Sequence, residues 1–229
     1  NVRLNKNGGT GSACSKPARG PELLRHHRVA RLRFAREHAN WTHEQWSKVL
    51  WTDECRVALR APDGLERVWR RHGERFLPIT TRQTVSFHGG SVMVWGGICS
   101  DARTELAVVA GQHVLPFMGF IGSEDFILMQ DNARPHTARC VDDYLSEVRI
   151  NKLEWPTRSP DMNPIEHVWD MLKRRIRSSP NPPETISQLK TALVAAWEEI
   201  PHVDIKNIIH SMPDRMQAVI RARGGNTRY

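Results

Sequence analysis

Two short apolar runs in this chain each lead directly into an aspartate. Residues 48–52 are β-prone and run into Asp53, and residues 126–130 form a short apolar segment that ends at Asp131. Short continuous apolar runs are typical of buried strands. In open α/β sheets, ligands bind at the carboxyl ends of the strands. The two runs therefore predict a sheet that carries both acids at this edge.

The segments around these runs predict a mixed sheet flanked by helices. Residues 91–98 and 105–109 lie on either side of a turn and predict a β-hairpin. Strands followed by a succession of helices indicate an α/β fold with a helical C-terminal extension. Further short strands are predicted at 67–70 and 152–155, and helices at 26–38, from Thr42 onward, and at 137–147, 165–176, 184–199 and 204–222.

Charge and cysteine usage narrow the classes of function. The 229-residue chain has a formal net charge of +8. This charge favours a polyanionic partner such as nucleic acid, although many proteins of similar charge bind none. The four cysteines form no C-x-x-C pair, which argues against a zinc finger or redox motif and indicates a reducing compartment. No apolar run reaches membrane-spanning length.

A third acid, Glu166, follows Pro164 in the first turn of a predicted helix. Two-metal phosphodiester cleavage needs about three carboxylates from different elements, and Mg²⁺ prefers such hard oxygen ligands. Asp53, Asp131 and Glu166 can supply them. Each acid alone also has an ordinary interpretation. An aspartate at a strand end often closes a turn, and a glutamate in a first helical turn often faces the helix dipole.

The segments around the three acids resemble the catalytic blocks of Tc/mariner superfamily transposases. They read LWTDE at residues 50–54, MQDNARPHTA at 129–138 and WPTRSPDMNPIEHVW at 155–169. Asp131 and Glu166 are separated by 34 residues, which matches the D-D-34-E spacing of the Tc branch. The glycine-rich stretch at 89–97 and the ending RARGGNTRY are also similar to that branch. The resemblance spans roughly residues 17–229.

The resemblance implies an RNase H-like fold and cut-and-paste DNA transposition in the nucleus. In that family, water attack frees the end of the element, and the released 3′-hydroxyl then attacks a TA dinucleotide. By resemblance, two Mg²⁺ (or Mn²⁺) ions bind Asp53, Asp131 and Glu166, with Asn132 and His136 in supporting positions. For His136, a locally hydrogen-bonded residue at a helix start is an equally good interpretation. The implied partners are double-stranded DNA with terminal inverted repeats and a second copy of the chain.

Clusters of basic residues are candidates for binding DNA phosphates. For each of them, a solvated cationic face is the alternative interpretation. Residues 72–90 resemble the family segment that clamps a partner subunit. The DNA-binding candidates are Arg70 and Arg71, which lead into that segment, and Lys173, Arg174, Arg175 and Arg177, which follow Glu166 on its helix. A second basic face is predicted on the first helix, at Arg25, Arg28, Arg31, Arg33 and Arg36.

The chain departs from the family pattern at two places. Residues 1–22 read as a basic linker or arm ahead of a catalytic domain at 23–229. They are too short for the paired helix-turn-helix domains that the family places there, so we expect DNA binding mainly through backbone charge. Residues 110–125 form a crossover that is shorter than the family's, and a crossover between parallel strands needs a dozen or more residues.

Three functions remain open from the sequence. The first is an active, metal-dependent transposase core. The second is a catalytically inactive or domesticated transposase-derived DNA-binding protein, whose sheet is compromised by the shortened crossover. The third is a ribonuclease H-type or repair nuclease on the same fold. The long matching blocks around the acids argue against this third function.

Overall fold

The computed structural model describes residues 21–60, 90–109, 126–133 and 139–229. Several sequence predictions fall outside these ranges and are not addressed by the structure. They are the arm at 1–20, the strand at 67–70 with Arg70 and Arg71, the clamp segment at 72–89, the crossover at 110–125, and His136.

The centre of the fold is a five-stranded mixed sheet. Its strands are β1 (Val49–Ala58), β2 (Ser91–Ile98), β3 (Ala107–Val109), β4 (Ile127–Met129) and β5 (Asn151–Lys152). Their order in the sheet is β3-β2-β1-β4-β5. β2 pairs antiparallel with both β1 and β3, whereas β4 pairs parallel with both β1 and β5. The predicted mixed sheet and the predicted hairpin are confirmed.

Seven α-helices lie within the described ranges, most of them after the sheet. The helix predicted at 204–222 is in fact two helices that meet at Ser211. Pro213 stands in the first turn of the second one, where its missing N–H is tolerated. The helices are α1 (Arg25–Glu37), α2 (His43–Ser47), α3 (Arg139–Glu147), α4 (Pro164–Ser178), α5 (Ile186–Glu198), α6 (His202–His210) and α7 (Met212–Arg221). None of them is long and apolar enough to cross a membrane.

β1 is longer than its apolar run and places Asp53 in mid-strand, so the prediction that Asp53 ends a strand is wrong. The strand continues because β2 pairs with it as far as Ala58, with Asp53 opposite Gly96. The parallel pairing of β1 with β4, however, stops at Trp51 and Met129. Asp53 and Asp131 therefore each lie two residues beyond the last parallel pair, at the same edge.

Side-chain caps fix the starts of two helices. Thr42 begins α2 with a reciprocal capping box, in which its hydroxyl accepts a hydrogen bond from the Gln45 N–H at 3.3 Å. The carboxamide oxygen of Asn163 accepts a hydrogen bond from the Ile165 N–H at 3.3 Å and begins α4. Pro164 then occupies the first helical position, and Glu166 falls in the first turn.

The core lies between the sheet and the C-terminal helices. α4 packs against β1, and α5 packs against β2. The largest side chains of this core are tryptophans, which confirms their interpretation as core residues. Those with under 2% of their surface exposed are Trp46, Trp51, Trp169 and Trp197.

β4 lies within the sheet, between β1 and β5, although the crossover that precedes it is short. β3 and β4 run in the same direction with two strands between them, a lateral distance of about 14 Å. The sixteen residues at 110–125 can reach up to about 50 Å when extended. β4 pairs on both sides, with β1 and β5. The expectation that the short crossover compromises the sheet is therefore wrong for the described strands.

Candidate active site

A cleft of about 280 Å³ opens where the parallel pairing of β1 with β4 ends, at the carboxyl end of β4 and midway along β1. Asp53 from β1, Asp131 after β4 and Glu166 from α4 all line it. Three carboxylates that are distant in the chain therefore face one space, as two-metal phosphodiester chemistry requires.

The two aspartates are held by the pairing of β1 with β4. The Thr52 hydroxyl donates a hydrogen bond to the Met129 carbonyl at 2.8 Å, and these residues directly precede Asp53 and Gln130-Asp131 in the chain. Asp131 is exposed, and its Oδ1 accepts a hydrogen bond from the Ala133 N–H at 2.9 Å. Asp131 thus closes a turn after the strand, and its other oxygen remains available to the cleft.

Burial and neighbouring negative charge raise the pKa of the Asp53 carboxyl. Burial raises the pKa of its carboxyl to about 7, and the carboxylate of Glu166 adds to the rise. The hydrogen bond from the Glu54 backbone opposes this shift, while Glu54 and Asp131 add smaller repulsion. Near pH 7 the protonated and ionised forms of Asp53 are therefore similarly populated, and a nearby cation would favour the ionised form.

Glu166 shares this environment. Burial raises the pKa of its carboxyl, the Lys173 ammonium opposes the shift, and Asp170 reinforces it. Lys173 lies two turns after Glu166 on α4, which brings it to the same helix face. It also interacts with the buried Cys55 thiol, whose pKa is raised mainly by burial. Lys173 is therefore a cation at the edge of the acidic cleft.

The donor set of the cleft fits a hard divalent cation. The three acids offer only oxygen ligands, and two of them have pKa values raised by burial, which a bound cation would reverse. Among the described residues, no three His, Cys, Asp or Glu side chains already stand close enough together to enclose an ion. The carboxylates repel one another, so side-chain rotation toward a cation is required to complete a ligand set.

The far wall of the cleft is formed by residues 155–160, which the sequence did not single out. The Asn132 carboxamide donates a hydrogen bond to the Trp155 carbonyl at 2.6 Å and thereby ties this wall to the segment after β4. Arg158 also lines the wall and has a positive φ of 56°, and its guanidinium donates a hydrogen bond to the Glu22 carbonyl at 2.8 Å. The sequence could have indicated these residues, because they lie within the block at 155–169 that contains Glu166.

The basic residues of α4 do not share one face. Arg177 lies about three turns after Glu166 and shares the face of Glu166 and Lys173. Arg175 points away and bonds the Glu199 carboxylate at 3.2 Å. The Nε of Arg174 donates a hydrogen bond to the Asp170 carbonyl at 3.3 Å. Of the four predicted DNA-binding residues on this helix, Lys173 and Arg177 are therefore the pair directed toward the side of the cleft.

The predicted basic face of α1 does not include Arg31, which is fully buried. Its guanidinium makes a two-pronged ion pair with Asp161, with both N–O distances at 2.7 Å. Its remaining N–H groups donate to the carbonyl oxygens of Arg158, Gly224 and Gly225. All five donors are satisfied inside the protein, so Arg31 is a structural cation.

Comparisons with known proteins address the family and the fold. Residues 48–190 match the family described as DDE superfamily endonuclease. The Tc1 transposase of Caenorhabditis elegans is 35% identical over 93% of this chain and 82% of that protein. The crystal structure of the Mos1 strand transfer complex matches at a TM-score of 0.80 with 16% identity, over 96% of this chain and 68% of that chain. A structure of the Mos1 transposase catalytic domain with raltegravir and Mg matches at a TM-score of 0.66 with 15% identity, over 91% of this chain and 100% of that chain.

The mixed sheet, the three-acid cleft and the matched residues define the class as an endonuclease domain of the RNase H-like fold. The chain belongs to the DDE superfamily endonucleases and is a transposase catalytic domain of the Tc1/mariner type. Such an enzyme cleaves DNA and transfers the cut strand. The comparisons therefore confirm the family, the fold and the activity that the blocks around the acids predicted. No comparison favours a catalytically inactive protein.

Proposed function

We propose that Asp53, Asp131 and Glu166 hold two divalent ions, Mg²⁺ or Mn²⁺, in the cleft where the parallel pairing of β1 with β4 ends. The observation that carries this proposal is that three carboxylates from separate elements line one cleft. The pKa of Asp53, raised to about 7, supports it, since ionised oxygens kept partly out of water favour binding of a cation. The Mos1 catalytic domain with Mg gives further support from the same fold.

The positions of the residues in the cleft indicate a separate role for each. Bound divalent ions would activate the attacking oxygen and stabilise the leaving oxygen of a phosphodiester. Asp53 and Asp131 hold their positions through the β1–β4 pairing, and Glu166 approaches from beside the sheet on the first turn of α4. Asn132 supports the far wall of the cleft through Trp155.

The substrate of this site is double-stranded DNA. Lys173 and Arg177 lie on the face of α4 that carries Glu166 and would bind phosphates that flank the cut. We place cleavage at terminal inverted repeats and joining at a TA target. The similar fold of the Mos1 strand transfer complex and of the Mos1 paired-end complex with its left transposon end supports strand transfer at transposon ends. By the same reasoning, a homodimer in the nucleus brings paired ends together. Residues 23–229 form the catalytic unit.

The experiment is nicking of supercoiled plasmid DNA by the 229-residue chain with Mg²⁺ or Mn²⁺. We expect nicked and linear products from the wild-type chain and none with EDTA. Asp53→Asn, Asp131→Asn and Glu166→Gln should each reduce the rate at least about a thousandfold, because each variant loses a ligand. Asp143→Asn, an exposed acid on α3, is the matched control and should retain wild-type rates.

Two results would contradict the proposal. One is nicking that persists in all three cleft variants. The other is a wild-type chain that folds, binds DNA and leaves it uncut with either metal. The second result would instead favour the DNA-binding alternative.

A further inference from the structure

The indole of Trp169 contacts the candidate metal site directly. Its Nε1 donates a hydrogen bond to Asp53 Oδ2 at 3.3 Å. Trp169 lies three residues after Glu166, about one turn along α4. α4 therefore carries one carboxylate of the cleft and contacts a second one on the neighbouring strand.

We propose that Trp169 is a positioning residue that holds Asp53 Oδ2 in place and leaves Oδ1 directed at the metal. Such hydrogen bonds behind a ligand fix its orientation and tune the bound ion. The inference rests on the proposed metal-binding function of the cleft. Under it, α4 sets the relative position of Asp53 and Glu166.

The position of Trp169 is itself fixed by a chain of contacts. Its ring stacks on Trp197, with centroids 5.2 Å apart and planes 29° apart. The Trp197 Nε1 donates a hydrogen bond to the Thr104 carbonyl at 2.8 Å. Both indoles are almost fully buried. The donor that faces Asp53 is thus held by packing on α5 and the β2–β3 hairpin.

The glycine opposite Asp53 makes room for this arrangement. Gly96 pairs with Asp53 across the β1–β2 ladder. A Cβ atom at Gly96 would lie 3.1 Å from the Cη2 atom of Trp169 and 3.2 Å from the Cη2 atom of Trp197. Even alanine at this position would therefore displace the stacked rings that hold the donor.

Space filling alone does not account for the contact of Trp169 with Asp53. Trp46 and Trp51 are equally buried, and their Nε1 atoms have no hydrogen-bond partner among the described residues. This core therefore accommodates large indole rings without a partner for the N–H group. Trp169 differs because its N–H group points at a carboxylate of the cleft.

The test measures Mn²⁺ binding by isothermal titration calorimetry on the full chain, without DNA. Trp169→Phe keeps an aromatic ring and removes the donor, so we expect Mn²⁺ affinity to fall about tenfold. Trp46→Phe removes an equally buried indole whose Nε1 bonds no carboxylate among the described residues, and it should leave the affinity unchanged. DNA affinity in EDTA should be the same for both variants and the wild type.

A pair of glycine variants provides the second test. Gly96→Ala displaces the stacked rings and should weaken Mn²⁺ binding several-fold without removing a ligand. Gly90→Ala is similarly crowded, with a Cβ 3.0 Å from Ile186 Cδ1, and that contact involves neither Trp169 nor Trp197. Gly90→Ala should therefore retain wild-type affinity, and thermal melting measures any loss of stability in each variant, including the strain at the positive φ of Gly90.

The outcomes separate this inference from the proposed function. If the wild-type chain binds no Mn²⁺, the proposed function itself fails. If the wild type binds Mn²⁺ and Trp169→Phe binds it equally well, Trp169 does not position Asp53. Should Trp169→Phe fail to fold, equal affinities for Gly96→Ala and Gly90→Ala would overturn the inference in the same way.

Discussion

At the scale of single residues, Asp53 combines partial burial with repulsion from Glu166. Its pKa, raised to about 7 from an ordinary value of 3.8, means that the folded state binds a proton more tightly than the unfolded chain. Between these two pH values the folded protein holds this proton and the unfolded chain does not, so rising pH lowers the free energy of unfolding. Without metal, the contribution of Asp53 to stability therefore decreases as pH rises from about 4 to 7.

This pH dependence predicts that Asp53→Asn stabilises the metal-free protein. In EDTA at pH 8, the variant should exceed the wild type in free energy of unfolding by up to a few kcal/mol. Near pH 4 the difference should vanish, because the wild-type carboxyl is then protonated in the folded state. Urea denaturation at both pH values measures this effect. An equal stability of the two proteins at pH 8 would show that Asp53 is not under electrostatic strain.

The same group predicts the pH dependence of metal binding. Asp53 must lose its proton to bind a cation, so Mn²⁺ affinity should fall by about tenfold per pH unit below pH 7. Above pH 7 the contribution of Asp53 should level off. Calorimetric titrations between pH 6 and pH 8 provide the measurement. An affinity that is constant across this range would contradict the role of Asp53 as a ligand.

At the scale of single elements, α4 links the acids to the DNA-binding surface. Glu166, Lys173 and Arg177 share one face, whereas Arg175 bonds Glu199 on another. Each phosphate contact that is lost reduces the salt dependence of DNA affinity by about one unit of log–log slope. Lys173→Gln and Arg177→Gln should each show this reduction, and Arg175→Gln should not. Fluorescence anisotropy with duplex DNA at several salt concentrations distinguishes the two faces.

The elements also show what the sequence can predict. Apolar runs and helix caps identified β1, β4, α2 and α4, because these signals are local. The sequence left open whether residues 56–59 extend β1 or turn away, and pairing with β2 extends the strand to Ala58. The contact of Trp169 with Asp53 was missed, because it depends on how α4 packs across the sheet.

At the scale of the whole molecule, Arg31 and Asp161 join the two ends of the described chain to the cleft. Asp161 receives the guanidinium of Arg31 from α1, and its Oδ2 accepts hydrogen bonds from the N–H and hydroxyl of Thr227, both at 2.9 Å. Asp161 lies in a short 3₁₀ helix, Pro160–Met162, between the cleft wall and α4. This cluster therefore holds the segment that precedes Glu166.

Asp161→Asn should lower the free energy of unfolding by about 3 kcal/mol, because it leaves the buried Arg31 without its counterion. Arg31 and Thr227 hold the pKa of Asp161 below its usual range, even though burial opposes them. The stabilisation is present above the ordinary carboxyl pKa and is lost as pH falls through the lowered value. Urea denaturation compares this variant with Glu37→Gln, which removes the exposed ion pair between Arg33 and Glu37. Loss of that exposed pair should change the free energy of unfolding by under about 0.5 kcal/mol. Similar values for the two variants would contradict the structural role of Arg31.

The burial of Arg31 could not be predicted from the sequence. This residue was assigned to a basic face because arginine is usually exposed, and its partners lie far along the chain. By contrast, the family and the fold were predicted from contiguous blocks, which carry their own signal. Contacts between distant segments needed the structure.

A crystal structure of the chain with Mn²⁺, with anomalous scattering used to locate the ions, tests the proposed metal site most directly. We expect two anomalous peaks about 3.5–4 Å apart, with Asp53, Asp131 and Glu166 as ligands. A crystal in which saturating Mn²⁺ leaves the cleft without a peak, or binds only elsewhere on the protein, would show that the three acids do not form a metal site.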